Sequence, residues 1–456
     1  MAVTPLSCAV LTSVLSAHPH CRRLIVGYSG GMDSHVLLHL LAAERARWPE
    51  RGLEAIYVDH GLQAASAAWR AHAARVCREL EIAFRPRQID ARPSPGESPE
   101  AAARRARYAV FAAELDPETA LLTGHHGDYQ AETLLLQLLR GAGPHGLAAM
   151  PAAARLGRGW LLRPLLETRR AELLRYARRH QLHWIEDASN NNTDFDRNYL
   201  RHRILPLLEQ RWPAVSRNLS RSARLCAESA DWLDTAARSD LVTISTERSD
   251  ALNIARLRQL SEPRQRNAVR YWLRQIGLPV PDSRQLRHLL HDILSARHDR
   301  QPCVRWPGGE ARRYQHRLYA MLPPPAHDPR QTFSWQATAT GWPPLDLPVG
   351  RLQMQRMIGK GLRLEALSDG SLTVRFRTGG ERFQPIGRRH SQELKKLLQH
   401  AEIPPWQRDH LPLLYRDRHL VAVVGLGIAA DQATGLSEAG WQPVLDSPSS
   451  VGSGIL

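Results

Sequence analysis

Lysine is almost missing from this sequence of 456 residues and occurs only at Lys360, Lys395 and Lys396. The chain nevertheless has 61 basic against 45 acidic residues, a net charge of +16 and an isoelectric point near 10.3, so 58 of its basic residues are arginine. Arginine suits bidentate phosphate contacts and stacking on bases. The charge balance therefore favours a polyanionic partner, with nucleic acid as the leading candidate.

Cysteine motifs and long apolar runs are also missing. The five cysteines are scattered along the chain, with no CxxC pair and no secretory apolar segment before them. Neither a disulfide framework nor a zinc knuckle is indicated, and a reducing cytoplasm fits best. No apolar run approaches the roughly 18 residues of a membrane span, so we expect no membrane association.

The first 150 residues alternate strand-like and helix-like segments, a pattern that favours a parallel sheet with crossover helices. Predicted strands cover 24–26, 53–58 and 120–123, and predicted helices cover 35–41, 69–80, 101–115 and 130–140. The pattern predicts an α/β nucleotide-binding architecture.

The remaining chain divides by composition. We predict a catalytic domain over 1–212, a mainly helical and basic domain over 213–322, and a proline-rich linker over 323–350. A small mixed α+β domain over 351–445 and a disordered tail over 446–456 follow.

The stretch "SGGMDS", residues 29–34, lies between a predicted buried strand and a predicted helix. Small residues and free N–H groups at a helix N-terminus bind phosphate. It is not a Walker A loop, because no Gly-Lys-Ser/Thr follows. An aspartate in a phosphate cradle needs a cation beside it, so we infer Mg²⁺ at Asp33. The alternative is an ordinary strand-to-helix turn with Ser29 or Asp33 as the N-cap.

This stretch resembles the pyrophosphatase loop (PP-loop) of the N-type ATP pyrophosphatases, which adenylate an oxygen atom and release pyrophosphate. The resemblance implies a PP-loop ATPase fold for the N-terminal domain and a loop that holds the β- and γ-phosphates of ATP. The ATP-binding residues that it implies are Ser29, Gly30, Gly31, Met32, Asp33 and Ser34.

Further stretches are similar to one family in that superfamily, the tRNA(Ile)-lysidine synthetases. They are "PEAAARRARYAVF", "LLTGHHGDYQAETLLLQLLRGAGPHGLAAMP", "WIEDASNNNTDFDRNYLRHRILPLLEQRWP" and the C-terminal "GRRHSQELKKLLQHAEIPPWQRDHLPLLYRDRHLVAVVGLGI". The resemblance implies ATP-dependent attachment of L-lysine to C2 of the wobble cytidine of a CAU-anticodon tRNA(Ile), which then reads AUA instead of AUG.

Two pairs of charged residues lie at helical spacing in these stretches. Arg104 and Arg107 share a helical face, and the resemblance implies contact with ATP, lysine or the transition state; surface ion pairs are the alternative. Asp128 and Glu132 are four residues apart at a helix start, where acidic residues also serve as dipole partners. The family has two consecutive aspartates here, whereas this chain has Tyr129 after Asp128.

The resemblance completes the expected catalytic set. It consists of Asp33, Arg104, Arg107, Asp128, Glu132 and Arg201, with Arg201 touching substrate and Mg²⁺ held by Asp33 and Asp128. The segment "EDASNNNTDFDRNYLRHRILP", residues 186–206, is expected to close over the active site.

A basic helix in the last domain is expected to face RNA. Leu394, Leu397 and Leu398 should point inward and the two lysines outward, toward backbone phosphates. The tRNA-binding residues that we expect are Arg388, Lys395, Lys396 and Trp406. A solvated basic face is the alternative.

Two other functions remain open on the sequence alone. One is an ATP-dependent tRNA thiolase with the same loop, although thiolases of this type commonly use paired cysteines. The other is a non-catalytic RNA-binding relative, with Tyr129 as the lesion. A monomer and a homodimer are both compatible with the sequence.

Overall fold

The computed structural model describes residues 6–59, 66–90, 92–93, 99–297, 300–338, 341–363 and 370–446. The chain forms two compact units, residues 1–232 and 233–456. Within the described ranges, no helix has both the length and the apolar character needed to cross a membrane.

The first unit alternates helices and strands. In chain order these are α1 (Ala9–Ser16), β1 (Arg23–Gly27), α2 (Met32–Ala43), β2 (Gly52–Asp59), α3 (Ser66–Glu79), β3 (Ala83–Gln88), α4 (Pro99–Ala113), β4 (Thr119–Leu122), α5 (Gly127–Leu139), α6 (Pro144–Leu147), β5 (Ala153–Leu156), β6 (Gly159–Leu162), α7 (Arg170–Arg179), α8 (Asp196–Tyr199) and α9 (Leu205–Arg211). Short 3₁₀ turns lie at Arg45–Arg47 and Ala188–Asn191, and a π-helical turn lies at Leu200–Ile204. Helix α10 (Val215–Ile244) follows.

The six strands form one sheet in the order β3-β2-β1-β4-β6-β5. All neighbouring pairs are parallel except β5 and β6. The predicted parallel sheet with crossover helices is therefore confirmed. Because β1, β4 and β6 are parallel neighbours, the residues that follow them meet at one edge of the sheet, where open α/β sheets bind ligands.

The sheet is covered on both faces, as its apolar strands require. In β1, Leu24 and Val26 pack into the larger core with Leu37 of α2, whereas Ile25 points to the other face and packs with Phe111 of α4. This alternation follows from the period of two along a strand. Packing on both of its faces thus fixes β1 in place, and with it the position at which the strand ends.

The second unit is mixed. Its elements are β7 (Ala251–Asn253), α11 (Ile254–Gln259), α12 (Glu262–Gln275), α13 (Ser283–Ser295), β8 (Cys303–Trp306), β9 (Gly309–Tyr314), β10 (Arg317–Met321), β11 (Phe333–Gln336), β12 (Leu345–Leu347), β13 (Gly350–Ile358), β14 (Leu362–Arg363), β15 (Ser371–Arg375), β16 (Arg382–Phe383), β17 (Gln392–Glu393), α14 (Leu394–His400), α15 (Pro405–Arg408), β18 (Leu413–Arg416), β19 (His419–Val423), β20 (Gly427–Ile428) and β21 (Ala439–Asp446). The strand orders are β7-β10-β9-β8, β11-β15-β18-β19-β20, β12-β13-β21-β14 and β16-β17.

Two features of this unit differ from the expectations. The region predicted as mainly helical also contains the antiparallel sheet of β7 to β10. The predicted linker contains β11 and β12, which join the last domain's sheets through β15 and β13 and bury Trp335 and Leu347. Strand β11 pairs with the distant β15, where Phe333 lies opposite Val374, so local composition does not reveal it. Strand β12 forms a hairpin with β13, the next strand, with Leu347 opposite Gly350. The predicted domain boundaries remain predictions, and the predicted tail beyond Asp446 lies outside the described residues.

Candidate active site

The loop between β1 and α2 is braced by its own hydroxyls. Ser34 Oγ accepts a hydrogen bond from the Ser29 amide (3.2 Å), lies 3.1 Å from Ser29 Oγ, and donates to the Gly31 carbonyl (3.0 Å). Gly31 is the N-cap of α2. The first amides of a helix have no acceptor within the helix. A braced loop that ends in such amides is suited to bind phosphate, as the sequence predicts.

Two neighbouring segments hold this loop closely. Gly30 has φ +81°, and its carbonyl accepts a hydrogen bond from the Ile185 amide (2.9 Å). Gly124, just after β4, lies so close that an added Cβ would be 2.8 Å from the backbone carbonyl carbon and oxygen of Asp33. Only glycine allows this approach of the β4 segment to the start of α2.

The Asp33 carboxylate has one engaged oxygen and one unengaged oxygen. Its Oδ2 lies 3.5 Å from both His126 Nε2 and the Tyr129 hydroxyl. The Asp128 amide donates to His126 Nδ1 (3.3 Å), so the proton of a neutral His126 sits on Nε2, facing Asp33. Burial, and then the charge of Asp33, raise the pKa of Tyr129, which keeps its hydroxyl a donor.

The other oxygen, Asp33 Oδ1, is buried and has no hydrogen-bond partner among the residues that the structure describes. A buried carboxylate oxygen without a partner is costly, and a hard cation is a natural partner for it. The residues at the loop therefore fit Mg²⁺ at Asp33.

The Asp128 carboxylate contacts the start of α7 and His126. Its Oδ2 accepts a hydrogen bond from the Arg170 amide (2.8 Å) at the start of α7 and lies 3.7 Å from His126 Nδ1. The two nitrogens of His126 thus face different carboxylates, those of Asp33 and Asp128. That these two residues hold Mg²⁺ together stays a prediction. In the described part of the chain, no three His, Cys, Asp or Glu side chains could hold a metal.

Glu132 is a charge partner of arginine. It is 1% exposed and accepts hydrogen bonds from Arg201 Nε (2.7 Å) and Nη2 (2.9 Å), with Arg197 Nη1 at 3.9 Å. Burial alone would lower the pKa of Arg201, but the hydrogen bonds and charge of Glu132 outweigh it and raise the pKa. The π-helical turn presents Arg201 to Glu132, and such turns often lie at functional sites. Arg201 is thus fixed beside the Tyr129 ring, 5.0 Å from its centroid.

His125 lies among arginines. Its Nδ1 is 2.8 Å from Thr123 Oγ1. Burial, followed by the charges of four guanidinium groups, holds the pKa of His125 well below its usual value, so the ring is neutral. In order of effect, these groups belong to Arg163, Arg104, Arg107 and Arg197.

The two α4 arginines differ in exposure. Arg104 is exposed and stacks on the Tyr108 ring at 4.7 Å, whereas Arg107 is half-buried and engaged in contacts. Sequence reasoning missed Arg163, although it directly follows a short apolar run, "GWLL", that forms β6.

The RNA-facing residues expected in the last domain fall into two groups. On α14, Leu394, Leu397 and Leu398 are buried, which confirms their inward orientation, while Lys395 and Lys396 are exposed. Lys396 Nζ lies 4.0 Å from Glu393. Arg388 is also exposed.

Trp406 contradicts the expectation that it contacts RNA. It is 7% exposed and packs against the rings of Tyr314 and Tyr319, with Arg312 over its face at 5.3 Å. A large aromatic ring gains most from burial, and here it fills the space between α15 and the β9–β10 pair. We therefore remove Trp406 from the candidate RNA surface.

Comparisons with known proteins agree with this architecture. The PP-loop domain model matches residues 9–208, the TilS substrate binding domain model residues 252–319, and the TilS substrate C-terminal domain model residues 372–445. A solved U34-tRNA thiolase from Methanococcus maripaludis, at 19% identity and a TM-score of 0.41, covers 48% of this chain and 77% of that chain, a likeness too slight to carry an argument.

Two relatives match over nearly the whole length. A tRNA(Ile)-lysidine synthase of Coxiella burnetii is 42% identical over 93% of this chain and 93% of its own. A protein of the same name from Methylococcus capsulatus is 43% identical over 91% of this chain and 93% of its own. Identity at this level across both chains shows common family membership: the chain belongs to the tRNA(Ile)-lysidine synthase family.

Proposed function

We propose that this protein ligates L-lysine to C2 of the wobble cytidine of CAU-anticodon tRNA(Ile), with conversion of ATP to AMP and pyrophosphate. The relatives that match over nine tenths of their length are named for this tRNA, and PP-loop proteins use ATP. The observation that carries the proposal is the braced loop at residues 29–34, with the unpartnered oxygen of Asp33 beside it and arginines at the same sheet edge. Since tRNA is the substrate, we propose a cytoplasmic location.

The first step that we propose is adenylation of the base. The cytidine O2 attacks the α-phosphorus of ATP, and the bond to the departing pyrophosphate breaks. The amides at the start of α2 face the charge that develops on the leaving group, which is the arrangement that stabilises a transition state. Mg²⁺, held by Asp33 and phosphate oxygens, would supply further neutralisation of that charge.

The second step is attack on C2 by the ε-amine of lysine, with loss of AMP. An unperturbed lysine amine has a pKa of about 10.4, so a base must take a proton before the attack. Arg201 engages both oxygens of Glu132, whereas the Arg170 amide engages Oδ2 of Asp128, which makes Asp128 the better of the two expected carboxylates. The target base must leave its stack, which a single-stranded anticodon loop allows at low cost.

The test is incorporation of radiolabelled L-lysine into transcribed CAU-anticodon tRNA(Ile), with and without ATP. The elongator tRNA(Met), which shares the anticodon, is the matched control. We expect ATP-dependent label on tRNA(Ile) alone, with one AMP formed for each lysine, and no label with Asp33→Ala. No label from folded wild-type protein that binds ATP would overturn the proposal.

A further inference from the structure

Arg163 is a buried cation without a carboxylate partner. It directly follows β6, is 6% exposed, and donates from Nη1 to the Pro151 carbonyl (2.7 Å). Its Nε is buried and makes no hydrogen bond. Among the residues that the structure describes, no Asp or Glu forms an ion pair with it.

The surroundings of Arg163 add positive charge. Burial lowers its pKa, the neighbouring Tyr108 hydroxyl acts in the opposite direction, and the charge of Arg104 lowers the pKa further. His125 next to it is neutral and adds no further positive charge. A buried charge is costly unless it is paired, and no carboxylate among the described residues pairs with Arg163.

We propose that Arg163 binds the α-carboxylate of the amino acid substrate, with Arg104 and Arg107 around it. This inference rests on the proposed function and names the residue that recognises one end of lysine. The planar guanidinium matches a carboxylate in geometry and charge. Binding supplies the anion that Arg163 lacks among the described residues.

The position of Arg163 in the sheet distinguishes the lysine carboxylate from the other anions in the reaction. The phosphate-binding loop follows β1, and β4 lies between β1 and β6. Strands are about 4.8 Å apart, so Arg163 is roughly 10 Å along the edge from that loop. The loop at residues 29–34 binds the pyrophosphate, and an RNA backbone is too bulky to reach a side chain as buried as that of Arg163. A lysine with its carboxylate at Arg163 can extend its side chain along this edge toward the loop.

The test compares L-lysine with cadaverine, the same diamine without the carboxylate, as acceptors on CAU-anticodon tRNA(Ile). Steady-state kcat and KM are measured for full-length wild-type protein, Arg163→Gln and Arg163→Lys. The control is Arg313→Gln, because Arg313 is also buried (4% exposed) and donates to backbone carbonyls, those of Ile293 and Ala296.

For wild-type protein we expect kcat/KM for lysine to exceed that for cadaverine about 10- to 100-fold, the usual effect of one charge-assisted pair. Arg163→Gln should abolish most of this preference by raising KM for lysine, with little change for cadaverine. Arg163→Lys should restore part of it, and Arg313→Gln should leave it intact.

Other outcomes overturn the inference. Equal losses for both amines in Arg163→Gln would mean that Arg163 only supports the fold. If that variant does not fold, equal wild-type kcat/KM for lysine and cadaverine would refute carboxylate recognition by itself. Absence of any lysine product from the wild-type protein would instead overturn the proposed function.

Discussion

The buried pair of Glu132 and Arg201 should be strongly coupled. We predict that Glu132→Gln lowers the free energy of unfolding of the first unit by about 3 kcal/mol, because it leaves the Arg201 guanidinium without its anion. We take the lower end of the range for a broken buried pair, since the Arg201 side chain is 24% exposed whereas that of Glu132 is 1% exposed. For a unit of this size the melting temperature should fall by about 6–12 °C.

A double-mutant cycle isolates the pairwise contribution. Glu132→Gln, Arg201→Met and the double variant are compared by denaturant unfolding of the full-length chain. Hydrogen exchange at α5 and at the π-helical turn assigns the transition to this region. The double variant should lose about 2 kcal/mol less free energy of unfolding than the two single variants lose in sum.

Two results would refute this reasoning. If the losses in free energy of unfolding of the two single variants add up to that of the double variant within about 0.5 kcal/mol, the two side chains are energetically independent. A Glu132→Gln variant with normal stability and a large loss of kcat would mean that Glu132 acts on the substrate instead of holding Arg201.

Three further predictions concern the loop, a buried histidine and the RNA surface. Gly124→Ala should lower kcat/KM about 100-fold, because its Cβ would displace the backbone of Asp33. Burial, and then the charge of His72, lower the pKa of His35 from 6.5 to about 4, so His35 binds a proton more readily in the unfolded chain. The free energy of unfolding should therefore fall by up to about 3 kcal/mol as the pH drops from 6.5 to 4. His35→Gln should reduce that fall when unfolding is measured against pH. Replacing Lys395 and Lys396 by alanine should weaken tRNA binding and reduce the slope of log affinity against log salt by up to about 2.

Each of these has a matched control. Gly52→Ala adds a methyl group with nothing within 4 Å and should leave kcat/KM unchanged. His288, on an exposed position of α13, should show no effect on the pH dependence when it is replaced by Gln. Lys395→Arg with Lys396→Arg should keep the salt slope. A normal Gly124→Ala enzyme, an unaltered pH dependence in His35→Gln, or an unchanged salt slope in the alanine double variant would contradict the respective argument.

Much of the first unit could be predicted from residue patterns. The apolar run at 24–26 is buried on both faces of the sheet, and the small residues at 29–34 follow it directly, so the sequence was enough to place this loop between a buried strand and a helix. The inward leucines of α14 were likewise evident, because residues three and four apart share a helical face.

Roles that depend on a distant partner were not predictable in this way. Glu132 and Arg201 are 69 residues apart, and only their contact makes Glu132 a charge partner. Trp406 suits an RNA surface by residue type, but the rings of Tyr314 and Tyr319 bury it. Strand β11 lies in a region predicted as a linker and becomes a strand by pairing with the distant β15, where Phe333 lies opposite Val374.

The parallel α/β unit, the loop at its sheet edge and the basic character of the chain could be predicted, because they follow from local periodicity and composition. Which charges are paired depends on the tertiary structure. It connected Glu132 to Arg201 and turned Asp128 toward α7. Among the described residues it left Asp33 Oδ1 without a hydrogen-bond partner and Arg163 without a carboxylate partner. Pairing depends on distances between side chains that meet only after the strands are placed side by side, and local sequence does not contain those distances.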